Sequence, residues 1–572
     1  MANSNKPVAR LSGMSAARIL LAVFFAVAVI APVVALLLHL ASPGALEVFS
    51  TPAFATSLGN SVVSSLLGTA LSVALALAAA LTLTRTNVPL RNAWAIVLTL
   101  PMLIPSIAHG MGLVYLFGSN GIVTNFLGTS WNIYGLQGIV MGALLYSFPP
   151  AFLMLYDALR YENCQVYDAA DIMGIPKASQ FARITLPYLA RPLVSTVFAT
   201  FTLIITDYGV PIMVGGKYST LSVLMYQEVI GRLNFDSGVA IGVALILPAI
   251  VAFVVDLLTN AQGNLAFSVH PKRVGKSAGR DAAGWVLLVA LALFLVSPLA
   301  AFSVVAFVVK YPITMAPTLA NIDRALVFGM DEYWLNSIVI AITVSVLGAA
   351  VSWLAAYVSA RAQGGFGRAL HLVCITTMAI PGIVLGLAYM MFFKGTPLYG
   401  TIGILIMVNL VHFFASPYLM AYNALNKLNA SLEAVGQTLG IPRRRMILDV
   451  FVPQTSGTII EMASYFFVNC MVTISAVAFL ANVSHMPLAL LISDFDTQML
   501  VECAALVSMV IFVTNVAAKV VFAAVKRGDH RRPSPFSRSP RRPPPSAHPK
   551  DASIGLLARI LDERTNMLRL YS

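Results

Sequence analysis

The chain has 572 residues, 58% hydrophobic and only 10% charged, and its mean hydropathy of +0.83 excludes an ordinary water-soluble enzyme. Thirty-six Lys and Arg against 23 Asp and Glu leave a formal charge of +13, which in so apolar a chain points to the cytoplasmic excess of cations in membrane proteins before it points to nucleic acid. Cys164, Cys374, Cys470 and Cys503 lie far apart without CxxC spacing, so they read as unpaired core thiols and not as a metal or disulfide framework.

Windows of about 19 residues predict twelve membrane spans in chain order, near 19–41, 58–82, 93–117, 134–158, 192–213, 236–259, 283–308, 335–359, 370–393, 401–424, 458–481 and 499–524. The first follows Lys6, Arg10 and Arg18, carries no charge and lacks a small-residue exit, which makes it an uncleaved span and not a signal peptide. Threading twelve spans from a cytoplasmic N-terminus leaves only Lys217, Arg232, Lys310, Arg324 and Lys394 outside; the other 31 of 36 cations fall inside. Both termini are therefore expected in the cytoplasm. After Lys526 the sequence RGDHRRPSPFSRSPRRPPPSAHPK is too rich in Pro, Arg and Ser to build a core and is expected to be a disordered, solvated tail. Beyond it, the spacing of Ile554, Leu557, Ala558 and Leu561 predicts a weak amphipathic helix on the membrane surface.

The chain repeats itself. Asn60-Ser61 matches Asn336-Ser337, Arg85 matches Arg361, and Ile104-Pro105 matches Ile380-Pro381, each pair 276 positions apart. Further on, Leu153-Met154 with Tyr156 matches Leu419-Met420 with Tyr422, Gly174 matches Gly440 and Pro187 matches Pro453, now 266 apart. A constant offset with one indel is the mark of two homologous units in tandem. With six spans each, the halves run parallel and are expected to pack about a pseudo-twofold axis along the membrane normal. Pro101, Pro105 and Pro381 would interrupt their helices at related places, which suits either a gate around a central path or simple curvature of the bundle.

Between the fourth and fifth spans lies YDAADIMGIPKASQFARITLP, Tyr167 to Pro187. Asp168-Ala169-Ala170 is followed after three residues by Gly174, after nine more by Ile184, and then by Leu186-Pro187. Small side chains at Ala169 and Ala170 would let another backbone approach, Gly174 would supply a turn with positive φ, and Ile184 and Leu186 would anchor the following segment to the bundle. The second half carries a weaker frame: Ala434-Val435-Gly436, Gly440, Val450 and Val452-Pro453, with Glu433 beside the position of the missing acid.

This spacing resembles the EAA loop of binding-protein-dependent ABC importer permeases, departing from it in the first copy only by Asp for Glu. The resemblance implies an all-α polytopic membrane protein, with 12 transmembrane helices as two parallel six-helix MetI-like repeats, in the bacterial inner membrane. It further implies fused twin permeases: a first type-1 transmembrane domain at 54–260 and a second at 332–525. Residues 1–53 then hold the N-terminus and first span, 261–331 a linker with the seventh span, and 526–572 the tail. The implied partners are an ATP-binding cassette ATPase dimer, docked by Asp168, Ala169, Ala170, Gly174, Ile184, Leu186, Pro187, Glu433, Ala434, Gly436, Gly440 and Pro453, a periplasmic substrate-binding protein, and membrane lipid. No nucleic-acid partner and no cofactor are expected. The chain itself is not expected to be an enzyme: its nearest approach to a phosphate-binding loop, Gly275-Lys276-Ser277, has His270 where the first glycine belongs and no preceding strand.

Polar groups inside spans are candidates for the pathway because they are costly there. Asp207, Glu461, His109, His412, Asn409 and Asn469 qualify, with helix-to-helix hydrogen bonding as the competing role; Asp207 and Asn469 are the chosen pathway candidates. Thr206 to Asp256 most resembles the 2-aminoethylphosphonate permeases, on Asp207, Gly209, Pro211, Gly215, Gly216, Tyr226, Ile230, Gly231, Asn234 and Phe235; iron(III) permeases come next. A major-facilitator transporter also has two parallel six-span halves, but TRTNVPLRN lacks the acid of that family's loop between the second and third spans. A scaffold or channel would leave the paired loop motif unexplained.

Overall fold

The computed structural model describes residues 13–42, 44–128, 132–160, 162, 164–260, 275–361, 365–429 and 431–530. Residues 531–572, with most of the proline-rich tail and the 554–570 periodicity, and the cations Lys6, Arg10, Lys272 and Arg273 lie outside these residues; 526–530, expected in the disordered tail, instead end the helix Val501–His530.

Eight helices are long and apolar enough to cross a membrane: Ser15–His39, Pro52–Arg85, Leu136–Arg160, Lys177–Ile205, Phe235–Val255, Ala278–Val305, Met330–Arg361 and Val501–Asp529. Three further pairs qualify together but are bent: Arg91–Leu103 with Ser106–Leu127 by 98°, Gly365–Ala379 with Gly382–Phe393 by 107°, and Ile402–His412 with Ala415–Asn426 by 52°. Among the described residues, apolar helices of spanning length thus match eleven of the twelve expected spans. At the other, 458–481, Ser456–Val472 runs only 17 residues before Thr473 turns extended, the short end of what crosses a bilayer. The predicted span at 192–213 is likewise broken: Leu186–Ile205 ends at Thr206, and a separate short helix, Gly209–Val214, follows. A hydropathy window sums apolar side chains and is blind to a backbone that changes direction among them.

The prolines act as their chemistry requires. Ile104 and Ile380, each preceding a proline, are extended, and Pro105 and Pro381 lead into the next helices at ψ 153° and 141°. A proline disfavours the helical region for the residue before it and offers no N–H to the ladder. The two sharpest bends thus fall at equivalent places in the two halves. The all-helical expectation has one exception among the described residues, a small antiparallel hairpin of Val308–Lys310 and Thr314–Pro317.

The repeated Asn-Ser pair has a structural task. Ser61 Oγ accepts the N–H of Leu221 at 2.8 Å and Ser337 Oγ that of Leu488 at 2.7 Å, while Asn60 and Asn336 donate to the carbonyls of Ser219 and Ser484. In each half these bonds tie a long helix to the start of a short one, Leu221–Tyr226 or Leu488–Thr497.

The first helix of each half packs on the other half. Phe25 meets Phe414 edge to face at 5.1 Å, Arg18 lies over Phe366, and Tyr389 donates to the Ala28 carbonyl at 2.5 Å. In return Leu288, Leu291 and Leu295 of Ala278–Val305 join a buried cluster made otherwise of first-half residues such as Leu145, Phe148 and Phe152. Trp285 meets Trp94 at 5.3 Å, and a Cβ on Gly112 would fall 2.5 Å from Pro298. Burying about 25 cal/mol per Å² of apolar surface gives little net drive between helices already in lipid, so close packing and these hydrogen bonds hold the exchange.

Candidate functional site

The two loop segments that carry the motif fold alike, residue for residue. Helix Gln165–Ile172 is followed by Gly174, then Pro176, helix Lys177–Gln180 and a π-helical turn Phe181–Thr185. In the second half helix Leu432–Thr438 is followed by Gly440, then Pro442, helix Arg443–Met446 and a π-helical turn Ile447–Phe451. From the glycine onward every element is offset by the same 266 positions found in the sequence.

Both glycines close their helices in the left-handed region, Gly174 at φ 69° and Gly440 at φ 66°. Gly174 donates to Asp171 O and Ile175 to Ala170 O; Gly440 donates to Gln437 O and Ile441 to Gly436 O. This is the Schellman pairing, which satisfies carbonyls that a helix end otherwise leaves open. Asp168 and Glu433 each lie in the first turn of their helix, where negative charge complements the macrodipole.

Burial corrects the expected division of labour. Ala170 and Gly436 are buried, while Asp168, Ala169, Ala434 and Val435 are exposed. Smallness is therefore spent inside the chain: a Cβ on Gly436 would meet Met446 Sδ at 2.8 Å, and only Ala169 of the alanine pair is left for another protein. Leu186, Pro187 and Pro453 are exposed, and Ile184 is half-buried, so the expected anchoring by Leu186 does not hold. Buried Thr185, Leu189 and Phe451 anchor the segments instead. What each loop turns outward is apolar: Ile172 and Met173 are 88% and 73% exposed, Val435 and Leu439 52% and 68%.

An arginine at the end of a long helix ties each segment down. Arg85 pairs with buried Glu162 and lies 4.3 Å from the centre of the Tyr167 ring. The Tyr167 hydroxyl is hydrogen-bonded to Glu162 and, at 2.7 Å, to Thr185 Oγ1 on the π-turn. Burial, and after it the bond to Glu162, pushes that phenol up and keeps it protonated. In the second half Arg361, 7% exposed, pairs with Glu433 at 3.4 Å, donates to the carbonyls of Leu425 (2.6 Å), Leu428 (2.9 Å) and Asn429, and lies 5.3 Å from the Phe451 ring. Both knots join span, loop helix and π-turn through a guanidinium, a carboxylate and an aromatic ring. The acid and the ring sit at different positions in the two knots: Tyr167 matches Glu433, Thr185 matches Phe451, and Glu162 matches Leu428. Sequence reading took Arg85 and Arg361 only as markers of repeat and topology and passed over Glu162 and Tyr167; the offset already set Tyr167 against Glu433.

The candidate pathway residues are engaged locally. Asp207 accepts the N–H groups of Val210 at 2.9 Å and Gly209 at 3.3 Å, capping Gly209–Val214, and Asn469 donates to Tyr465 O one turn back on its own helix. Glu461 pairs with Lys526. Gly209, Gly215 and Gly216, part of the phosphonate-like pattern, serve the backbone: Cβ atoms at the first two would lie 2.3 Å from Ser106 Oγ and 2.4 Å from Pro211 O, and Gly216 has φ 55°. That pattern thus describes how the chain turns. Among the described residues no group of three or more His, Cys, Asp or Glu is placed to hold a metal ion.

Comparison with known proteins agrees with this geometry. The family model described as "Binding-protein-dependent transport system inner membrane component" matches residues 72–263 and 359–528, more than half of the chain. A ferric transport system permease protein of Actinobacillus pleuropneumoniae is 24% identical over 405 residues, 67% of this chain and 58% of that protein. A protein of Haemophilus influenzae named for ferric transport is 24% identical over 407 residues, 67% of this chain and 63% of that one. The chain thus spans about three fifths of the length of these two relatives. A sulfate transport system permease protein of Synechocystis is 27% identical over 212 residues, 36% of this chain and 75% of that protein.

Proposed function

Because the chain belongs to the binding-protein-dependent transport system inner membrane component family, we propose that it is the membrane permease of an ATP-driven importer, with both halves of the translocation pathway in one polypeptide. The observation that carries this reading is the pair of loop segments, alike in helix, Schellman turn and π-turn, each riveted to a span by an arginine. A pair of such levers suits a pair of ATPase subunits. Ile172 and Met173 on one, and Val435 and Leu439 on the other, would enter grooves on an ATPase dimer, and Arg85 and Arg361 would pass the motion to the spans. ATP hydrolysis belongs to that separate ATPase, and solute arrives from a periplasmic binding protein.

In this reading residues 54–260 and 332–525 are the two transmembrane units, related by a pseudo-twofold axis along the membrane normal. Residues 261–331, with the seventh span, link them. The chain lies in the bacterial inner membrane with the loop segments and both termini in the cytoplasm, which the distribution of Lys and Arg supports.

For the cargo, the names of two relatives that align with two thirds of the chain favour ferric iron. A phosphonate such as 2-aminoethylphosphonate is the second reading, supported by the pattern from Asp207 to Phe235 and weakened by the backbone roles of its glycines. Proteoliposomes holding the chain, its ATPase and its binding protein test both points. ATP-dependent uptake of ferric iron, with no competition by the phosphonate, is expected. Uptake without ATP, or driven by an ion gradient alone, would overturn the importer reading.

A further inference from the structure

Beside the first arginine knot lies a cavity of about 220 Å³, lined by Arg85, Arg91, Asn92 and Arg160 together with Tyr156 and Cys164. Among the described residues Glu162 pairs with Arg85 and Asp157 lies in electrostatic reach of Arg160, while Arg91 is turned to a neutral acceptor, the Thr86 carbonyl at 2.6 Å. Arg91 and Asn92 also open the helix Arg91–Thr99, whose N-cap, Leu90 at φ 56°, supplies no side-chain acceptor to the first-turn amides. At about 30 Å³ for each water in the liquid, the space admits a tetrahedral oxyanion.

The second half does not repeat this arrangement. Its positions equivalent to Arg91, Asn92 and Arg160 are Gly367, Arg368 and Asn426. Arg361, the counterpart of Arg85, is surrounded by three carbonyls and Glu433. The arginines and the asparagine that line the first cavity are therefore not repeated around the second knot.

We propose that this cavity binds a phosphoryl-bearing anion, through Arg91, Arg160 and Asn92, and that the bound group braces the first loop segment against its span. Guanidinium forks match phosphoryl oxygens in geometry and charge. The anion comes either from the headgroup of an acidic lipid in the inner leaflet or from free phosphate. Its position at the leaflet boundary rests on the orientation proposed above. A failure to bind would leave the importer reading intact, since that reading is tested by ATP-dependent uptake.

Cys164, 5% exposed on the cavity wall, reports occupancy. The full chain is placed in nanodiscs of phosphatidylcholine, of phosphatidylcholine with phosphatidylglycerol, or of phosphatidylcholine with millimolar inorganic phosphate. Alkylation of Cys164 by N-ethylmaleimide is followed by peptide mass mapping, and bound lipid is counted by native mass spectrometry. Slower alkylation, and one more retained lipid, with phosphatidylglycerol alone identifies the headgroup; slower alkylation with phosphate identifies the free ion. Either effect must vanish in the Arg91→Gln, Arg160→Gln double variant, which leaves Arg85 and Glu162 in place. Where Cys164 fails to react in every bilayer, the lipid count decides for the headgroup and phosphate-dependent thermal stabilisation for the free ion. Equal rates and equal lipid counts in all three bilayers with no such stabilisation, or protection that survives both substitutions, would overturn the proposal.

Discussion

Tyr167 and Glu433 occupy the same place in the two halves and hold the same kind of partner by different means, Tyr167 with its ring under Arg85 and Glu433 with its carboxylate on Arg361. Repetition has preserved the knot and not the residue. The guanidinium is the fixed member: the loop helix supplies the ring in the first half and the acid in the second, with Glu162 and Phe451 completing the two knots.

Arg361→Ala removes a buried cation from three carbonyls and Glu433. Breaking one side of a buried pair costs about 3–5 kcal/mol, so the second segment should loosen locally while the spans remain folded. Hydrogen exchange over 429–441 should accelerate strongly, with little change in Met330–Arg361 above its last turns. Protection equal to wild type would remove Arg361 from the proposed rivet.

Gly174 and Gly440 present a cleaner backbone test, because no atom lies within 4 Å of an added Cβ at either site. The whole effect of a substitution is then the left-handed conformation, about 1–2 kcal/mol for an ordinary L-residue. Val should weaken co-purification of the ATPase, and Asn, which tolerates this region, should restore most of it. Equal behaviour of Val and Asn would place the requirement elsewhere.

Ile172→Glu, Met173→Glu and Leu439→Glu alter side chains that touch little in this chain. Thermal stability in detergent should stay at the wild-type level. Each buried apolar side chain contributes about 1.5–3 kcal/mol to an interface, so affinity for the ATPase should fall about 10- to 100-fold. Undiminished affinity in all three would mean that the ATPase does not dock on this face.

The exchange of first helices predicts that the halves bind without their link. Co-expressed fragments cut between Asn260 and Gly275 should co-purify and support uptake. Removing residues 13–39 from the first fragment should abolish co-purification, since Phe25, Ala28 and Arg18 make part of the contact with the second half. Fragments that associate equally well without that helix would assign the assembly to other contacts, such as Tyr115 to Val501.

Much of this architecture is legible in the sequence because it is written in periodic or single-residue chemistry. Apolar length locates the helices, prolines locate the two sharp bends, and the glycines locate the turns. What hydropathy misses is direction: the breaks at Thr206 and Thr473 lie inside apolar runs, so each predicted span there is a helix followed by something else. The loop segments were legible as a motif and misread in their faces. Ala170 and Gly436 turn inward, Gly436 against Met446, a fact set by the phase of a short helix, which no spacing of small residues reveals. Asp207 has a local role that the sequence did not show. An acid in an apolar run invites a pathway role, yet its oxygens are occupied by two backbone amides of the turn it closes.

The paired π-turns, Phe181–Thr185 and Ile447–Phe451, have a consequence for how the two halves can diverge. A π-turn holds one residue beyond the α-helical repeat, and one residue of an α-helix corresponds to about 100° of rotation. Deleting a single residue from either turn would rotate what precedes it, and so swing Ile172 and Met173, or Val435 and Leu439, away from their present heading. The side chains of these turns differ between the halves, Phe-Ala-Arg-Ile-Thr against Ile-Leu-Asp-Val-Phe, with the last of each, Thr185 and Phe451, held in its knot. Their number does not differ, and the aim of both levers is kept by counting.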